Sequence, residues 1–70
     1  MEEPVAEQKV VVEGETMTVE YRLGARGVRM RHDRLNNGNA FPVNYATVND
    51  EVQLPGIVRE VLVLKGILSR

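Results

Sequence analysis

"TMTVEYRL", residues Thr16–Leu23, alternates without a break: Met17, Val19, Tyr21 and Leu23 fall on one side of an extended chain, and Thr16, Thr18, Glu20 and Arg22 on the other. A period of two puts one row against a core and the other in water, so the stretch reads as a half-buried β-strand. Its flanks decide what it pairs with. Upstream, "KVVVE" (Lys9–Glu13) is rich in β-branched residues, which suit a pleated surface. Gly14-Glu15 reads as a two-residue turn with glycine first, which sets Val12 opposite Met17, Val10 opposite Val19 and Lys9 opposite Glu20. Downstream, "GARG" (Gly24–Gly27) reads as a four-residue loop that sets Leu23 opposite Val28, Arg22 opposite Arg29, Tyr21 opposite Met30, Glu20 opposite Arg31 and Val19 opposite His32. Both registers gather the apolar residues on one face, and a slip of one residue would turn Val28 and Met30 into water. The sequence therefore predicts a three-stranded antiparallel meander.

Beyond the meander, "DRLNNGNAFP" (Asp33–Pro42) has the glycine and asparagine content of a loop, with Asn37-Gly38 as its tight turn. A short strand over 43–48 follows. It belongs at a sheet edge or starts after the proline, because Pro42 has no N–H for a ladder. The last stretch contains "REVLVLKG" (Arg59–Gly66), whose β-branched residues would suit a strand. Ile57, Val61, Leu64 and Leu68 recur at i, i+4, i+7 and i+11, with Arg59, Gly66 and Arg70 on the opposite side, and this period predicts a helix over 54–69. Asn49 or Asp50 is its cap, and Pro55 is tolerated in its first turn. Gly56 and Gly66 weaken such a helix by up to about 1 kcal/mol each, so packing must hold it. The predicted fold class is α+β: an N-terminal three-stranded antiparallel meander, a short fourth strand and a C-terminal helix packed on the sheet. The alternative is a small all-β barrel whose last segment is strands.

A chain of 70 residues forms one small domain and buries only about 60% of the surface its unfolded form exposes. Residues 1–7 read as a flexible acidic tail and residues 8–70 as the domain. With no cysteine and one histidine, neither a disulfide nor a structural zinc site is expected, and no cofactor is expected either. A cysteine-free composition suits a reducing, cytoplasmic setting. "MEEPVAEQ" (Met1–Gln8) has no basic or apolar section of the kind a secretory signal needs, and the apolar run near the end is too short to span a bilayer of about 30 Å. No membrane partner is expected.

Charge is uneven along the chain. Residues 1–20 hold six Glu and one Lys, residues 21–34 five Arg and one Asp, and residues 35–70 three charges of each sign, giving −5, +4 and 0. In the expected register Lys9, Glu20 and Arg31 form a ladder across the outer face, whereas Arg22 and Arg29 oppose each other as like charges beside Arg26 at the loop tip. Arg22, Arg26 and Arg29, with Arg34 further along, are the candidate anion- or partner-binding residues, since guanidinium groups bind carboxylate and phosphate through forked hydrogen bonds. His32 falls on the core face, where a buried, hydrogen-bonded histidine is the simpler reading than a ligand or base. Leu62 and Val63 flank the main helical stripe and are the candidate interface residues for a protein partner or for self-association. Asp50-Glu51 reads as helix-entry chemistry.

No nucleophile system and no phosphate-binding glycine loop is present: "GARG" has two glycines and lies between strands, not before a helix. The expected function is accordingly that of a non-enzymatic protein–protein interaction module or accessory subunit, with a homodimer as one form. Nucleic-acid binding through the arginine-bearing outer face is the alternative. The near-neutral total charge and the lack of aromatic residues on that face weigh against it.

Overall fold

Glu13 and Gly14 both adopt positive φ, 50° and 81°. That pair of angles is the one a two-residue type I′ hairpin turn demands, and glycine takes the second position without steric cost. The computed structural model describes residues 5–69. The acidic residues Glu2 and Glu3, the Pro4 that follows them and the terminal Arg70 lie outside the described residues.

Strand β1 (Ala6–Val12) enters the turn and β2 (Glu15–Tyr21) leaves it. The turn is thus Glu13-Gly14, one residue earlier than the sequence predicts. Val10 faces Met17, Lys9 faces Thr18 and Glu7 faces Glu20. Partner positions move by two, so every side chain keeps its face and the core is unaffected. What changes is the outer charge ladder: Lys9 no longer meets Glu20. Residues Ala6 and Glu7 pair with Tyr21 and Glu20, so the sheet begins inside the expected tail.

The next connection is also tighter than expected. Ala25 N–H donates to Arg22 C=O over 3.1 Å, closing a β-turn with Gly24 at its third position and a φ of 79°. Positive φ there is the mark of a type II turn and falls naturally to glycine. Strand β3 (Arg26–Arg31) therefore starts inside "GARG", and Arg29 faces Glu20 while Met30 faces Val19. Arg22 and Arg29 are not opposed, and Leu23, expected in the core, is exposed in the turn.

Asn36 and Asn37 both have positive φ, followed by Gly38 at 80°, and form one short left-handed turn over Asn36–Gly38. Asparagine tolerates this region better than most residues. Strand β4 (Phe41–Thr47) pairs antiparallel with β3 and completes one open sheet in the order β1-β2-β3-β4. Pro42 lies within β4, on the sheet edge where a missing N–H is tolerated. The sheet does not close, so the barrel alternative is not adopted.

Asp50 Oδ1 accepts the Val52 N–H, and Gln53 Oε1 accepts the N–H groups of Asn49 and Asp50, a capping box that opens a short 3₁₀ turn (Glu51–Gln53). Helix α1 (Leu54–Leu64) continues from it with Pro55 in its first turn. It ends five residues before the predicted limit. Gly66, at φ 81°, donates to Val63 C=O, and Ile67 N–H donates to Leu62 C=O over 2.9 Å. These two bonds make a Schellman stop, so Gly66 terminates the helix instead of weakening its interior. The buried face is Leu54, Val58, Val61 and Leu62. Leu64, which the longer helix would bury, is 58% exposed.

One face of the sheet and the helix share a single core that includes Met17, Val19, Met30, Val48, Val58 and Leu62, each fully buried. The helix runs closest to β1, and an ion pair from Arg59 to Glu13 ties it to the first turn. Among the described residues no helix is long and apolar enough to cross a membrane. The opposite face of the sheet is open, and it carries the arginines.

Candidate anion-binding site

A break in the β3–β4 ladder shapes the site. Arg26 pairs with Thr47 and Val28 with Val43, so Asn44, Tyr45 and Ala46 stand against Gly27 alone. The excess residues push β4 out of line, as a bulge does. Gly27 has a φ of 94°, and a Cβ built on it would lie 3.9 Å from the Asn44 Cα. Glycine is required here by its backbone angle more than by crowding. The carbonyl of Asn44, turned out of the ladder, accepts a hydrogen bond from Arg26 Nε over 3.2 Å.

Above Gly27 lies an open concavity of about 380 Å³. Arg22, Arg26 and Arg29 all line it, together with Glu20 and Asn44, and Val5 forms part of its rim. Three of the four arginines singled out in the sequence are therefore brought together, although by a different register from the expected one. Arg22 arrives from the end of β2, Arg26 from the start of β3 and Arg29 from one turn of the pleat beyond. Arg29 is flanked across the sheet by Glu20 on one side and Pro42 on the other. The register predicted from sequence sets Glu20 in a ladder with Lys9 and Arg31. Only the true register shows it to be the carboxylate beside this arginine cluster.

Arg34 is elsewhere. At the opposite end of the sheet its Nη2 binds Glu15 Oε1 over 2.5 Å, and the same oxygen lies 2.9 Å from His32 Nε2. The Arg34 N–H donates to His32 Nδ1 over 3.0 Å. Because Nδ1 accepts, the neutral ring carries its proton on Nε2 and donates it to Glu15. His32 is 5% exposed and uses both ring nitrogens, in agreement with the structural reading of the sequence. Hydrogen bonds from Arg34 and then His32 hold the Glu15 carboxyl below its ordinary value of 4.5, against a smaller upward push from burial. Glu15 is the site residue that the sequence does not disclose, because the predicted turn includes it whereas it opens β2.

The helix pair separates too. Leu62 is fully buried in the core and offers no outer surface, because the helix is turned so that Leu62 and Val58 face the sheet. Val63 is partly exposed. Among the described residues no three His, Cys, Asp or Glu side chains gather as a metal site. Compared with known protein families, curated proteins and solved structures, the chain matches none.

Proposed function

We propose that the protein is a small, non-enzymatic interaction module of the cytoplasm that receives a carboxylate-bearing segment of a protein partner in the arginine concavity. The convergence of Arg22, Arg26 and Arg29 on one concavity of about 380 Å³ carries this reading. Guanidinium groups are weakly hydrated and pair with carboxylates through two parallel hydrogen bonds, so three around one hollow favour a planar anion over a point charge. Glu20 and Asn44 in the same wall add acceptors and an amide for the donors of a peptide backbone. A mixed lining of this kind suits an acidic peptide better than a uniform polyanion. Glu7, Glu20 and Arg29 form one row across the outer face, so two carboxylates lie along the path a nucleic-acid backbone would follow. The exposed Tyr45 lies outside the concavity and offers no stacking platform there.

Calorimetric titration with a glutamate-rich peptide and with duplex DNA, repeated across salt concentrations, tests the proposal. The expected result is peptide binding with a shallow salt dependence, lost when Arg22, Arg26 and Arg29 are all replaced by glutamine. Melting temperature should fall only slightly in that variant, because all three side chains are exposed and the bonds they make, the Arg26–Asn44 bond among them, lie at the surface. Duplex binding with a logarithmic salt slope of about −0.9 per phosphate contact would favour the nucleic-acid reading. Binding of neither ligand would overturn the site.

A further inference from the structure

The two edges of the sheet are finished differently. Strand β4 is blunted by Pro42, by the bulge opposite Gly27 and by the Arg26 hydrogen bond to Asn44. Strand β1 has none of these: seven residues pair with β2 in unbroken register, without proline or bulge. Natural sheets protect open edges, so a long regular edge marks a place where another strand pairs.

The backbone of β1 specifies how. A two-residue loop is closed by the hydrogen-bonded pair Val12–Glu15, so Val12, Val10, Gln8 and Ala6 exchange hydrogen bonds with β2. The N–H and C=O groups of Glu7, Lys9 and Val11 then point away from the sheet. The side chains of these same residues, with Val5 before them, stand on the outer face. Val5 and Val11 are 50% and 65% exposed and touch no core. Read in either direction, the row is apolar, charged, charged, apolar, and its two central charges are opposite.

We infer that β1 pairs antiparallel with β1 of a second copy of this chain, about a two-fold axis through Gln8, so that the two sheets become one. In this register Glu7 faces the second copy's Lys9 and Lys9 faces its Glu7, while Val5 and Val11 meet in two apolar pairs. Ala6 lies opposite Val10 on the helix side. The neighbouring registers that satisfy the same backbone groups set Glu7 against Glu7 or Lys9 against Lys9, and like charges directly opposite are unfavourable. Glu7 also faces Glu20 within its own chain, and the incoming lysine offsets that repulsion. The two-fold axis is perpendicular to the sheet, so both helices lie on one face and both arginine concavities on the other. None of the three arginines of the concavity takes part in this strand pairing.

Sedimentation of the full chain across micromolar to millimolar concentration, with charge exchanges at the two central positions, tests it. The wild-type chain should dimerise. Glu7→Lys and Lys9→Glu should each weaken dimerisation by at least about tenfold, because each turns two opposite-charge pairs into like-charge pairs. Both positions are exposed and on the open face, so circular dichroism should show either variant folded. Mixing the two variants should restore association as a heterodimer, and the double exchange should restore the homodimer. A wild-type chain that stays monomeric to millimolar concentration would overturn the proposal and leave Lys9 as a guard on the edge. Single exchanges that still dimerise at wild-type strength would also overturn it, by placing the contact elsewhere.

Discussion

Each end of the sheet buries one polar side chain, and the two are treated in opposite ways. At the end beside the first turn, His32 is 5% exposed and has both ring nitrogens engaged by Glu15 and by the Arg34 amide. At the other end Tyr21 is 2% exposed and its hydroxyl has no hydrogen-bond partner among the described residues. The arginines follow the same division. Arg34 is drawn into the histidine's network, whereas Arg22, Arg26 and Arg29 gather around a hollow on the tyrosine's end. Local structure accounts for the polar groups of the first end. The second gathers three guanidinium groups around one hollow, and such a concentration of forked donors suits a surface that receives an anion.

The strongest way to break this contrast is to ask whether the two ends belong to one cooperative unit. Val19, fully buried at the middle of β2, lies between them along the strand. Val19→Asp places an unpaired charge in the shared core, and the expected result is loss of folding, with the resonances of His32 and Tyr21 collapsing together. Thr18→Asp, one residue away and on the open face, should retain the fold. Loss of order at only one end in the aspartate variant would show two independent clusters.

Much of this division was legible in the sequence. Period-two alternation placed Met17, Val19, Tyr21 and Met30 inside and the arginines outside, because side-chain period in a strand does not depend on which partner lies opposite. The pairs themselves were less legible. In "VEGE" (Val12–Glu15) the turn begins at Glu13, a residue with no intrinsic preference for positive φ, so placing the glycine first shifted every partner by two. That shift hid Glu15 as the partner of His32 and Glu20 as the neighbour of Arg29. The helix limit could be read from Gly66 as a residue just past a helix end, but the apolar spacing through Leu68 carried the period across it. Arg34 lies apart from the other three arginines because β3 carries the chain from Arg26 to the opposite end of the sheet before Arg34 is reached, and a charge count does not register that distance.

A smaller effect is expected at the histidine's end. Glu15→Ala leaves Nε2 of His32 buried without an acceptor and removes the partner of Arg34, so the melting temperature should drop by several degrees. The dependence on pH has a definite sign. A carboxyl whose folded pKa is depressed contributes stability that is complete above its unfolded value, near 4.5 here, and is lost as pH falls through the lower folded value. Thermal melts of the wild-type chain should therefore weaken on the acid side of that value, and Glu15→Gln should flatten this limb of the curve. An unchanged acid limb in the glutamine variant would remove Glu15 from the account of acid stability and weaken the claim that this end is a closed polar network.

The smallest change tests the other half of the contrast. Tyr21→Phe deletes only the hydroxyl and keeps the ring that belongs to the core cluster. A paired buried hydroxyl would cost about 1 kcal/mol to lose, whereas an unpaired one has already given up its water without return. The expected result is a melting temperature unchanged or raised, with a gain of up to about 1 kcal/mol. Core packing should be indifferent, because the volume removed is that of one oxygen and the ring rotamer is retained. Scanning calorimetry of the two proteins in one buffer decides the matter. A loss near 1 kcal/mol would mean that the hydroxyl has a partner in solution, and the two ends would then differ in their arginines alone. A neutral or stabilising outcome would leave Tyr21 with a polar group that its own fold does not require, directly beneath the strand end that carries Arg22 into the concavity.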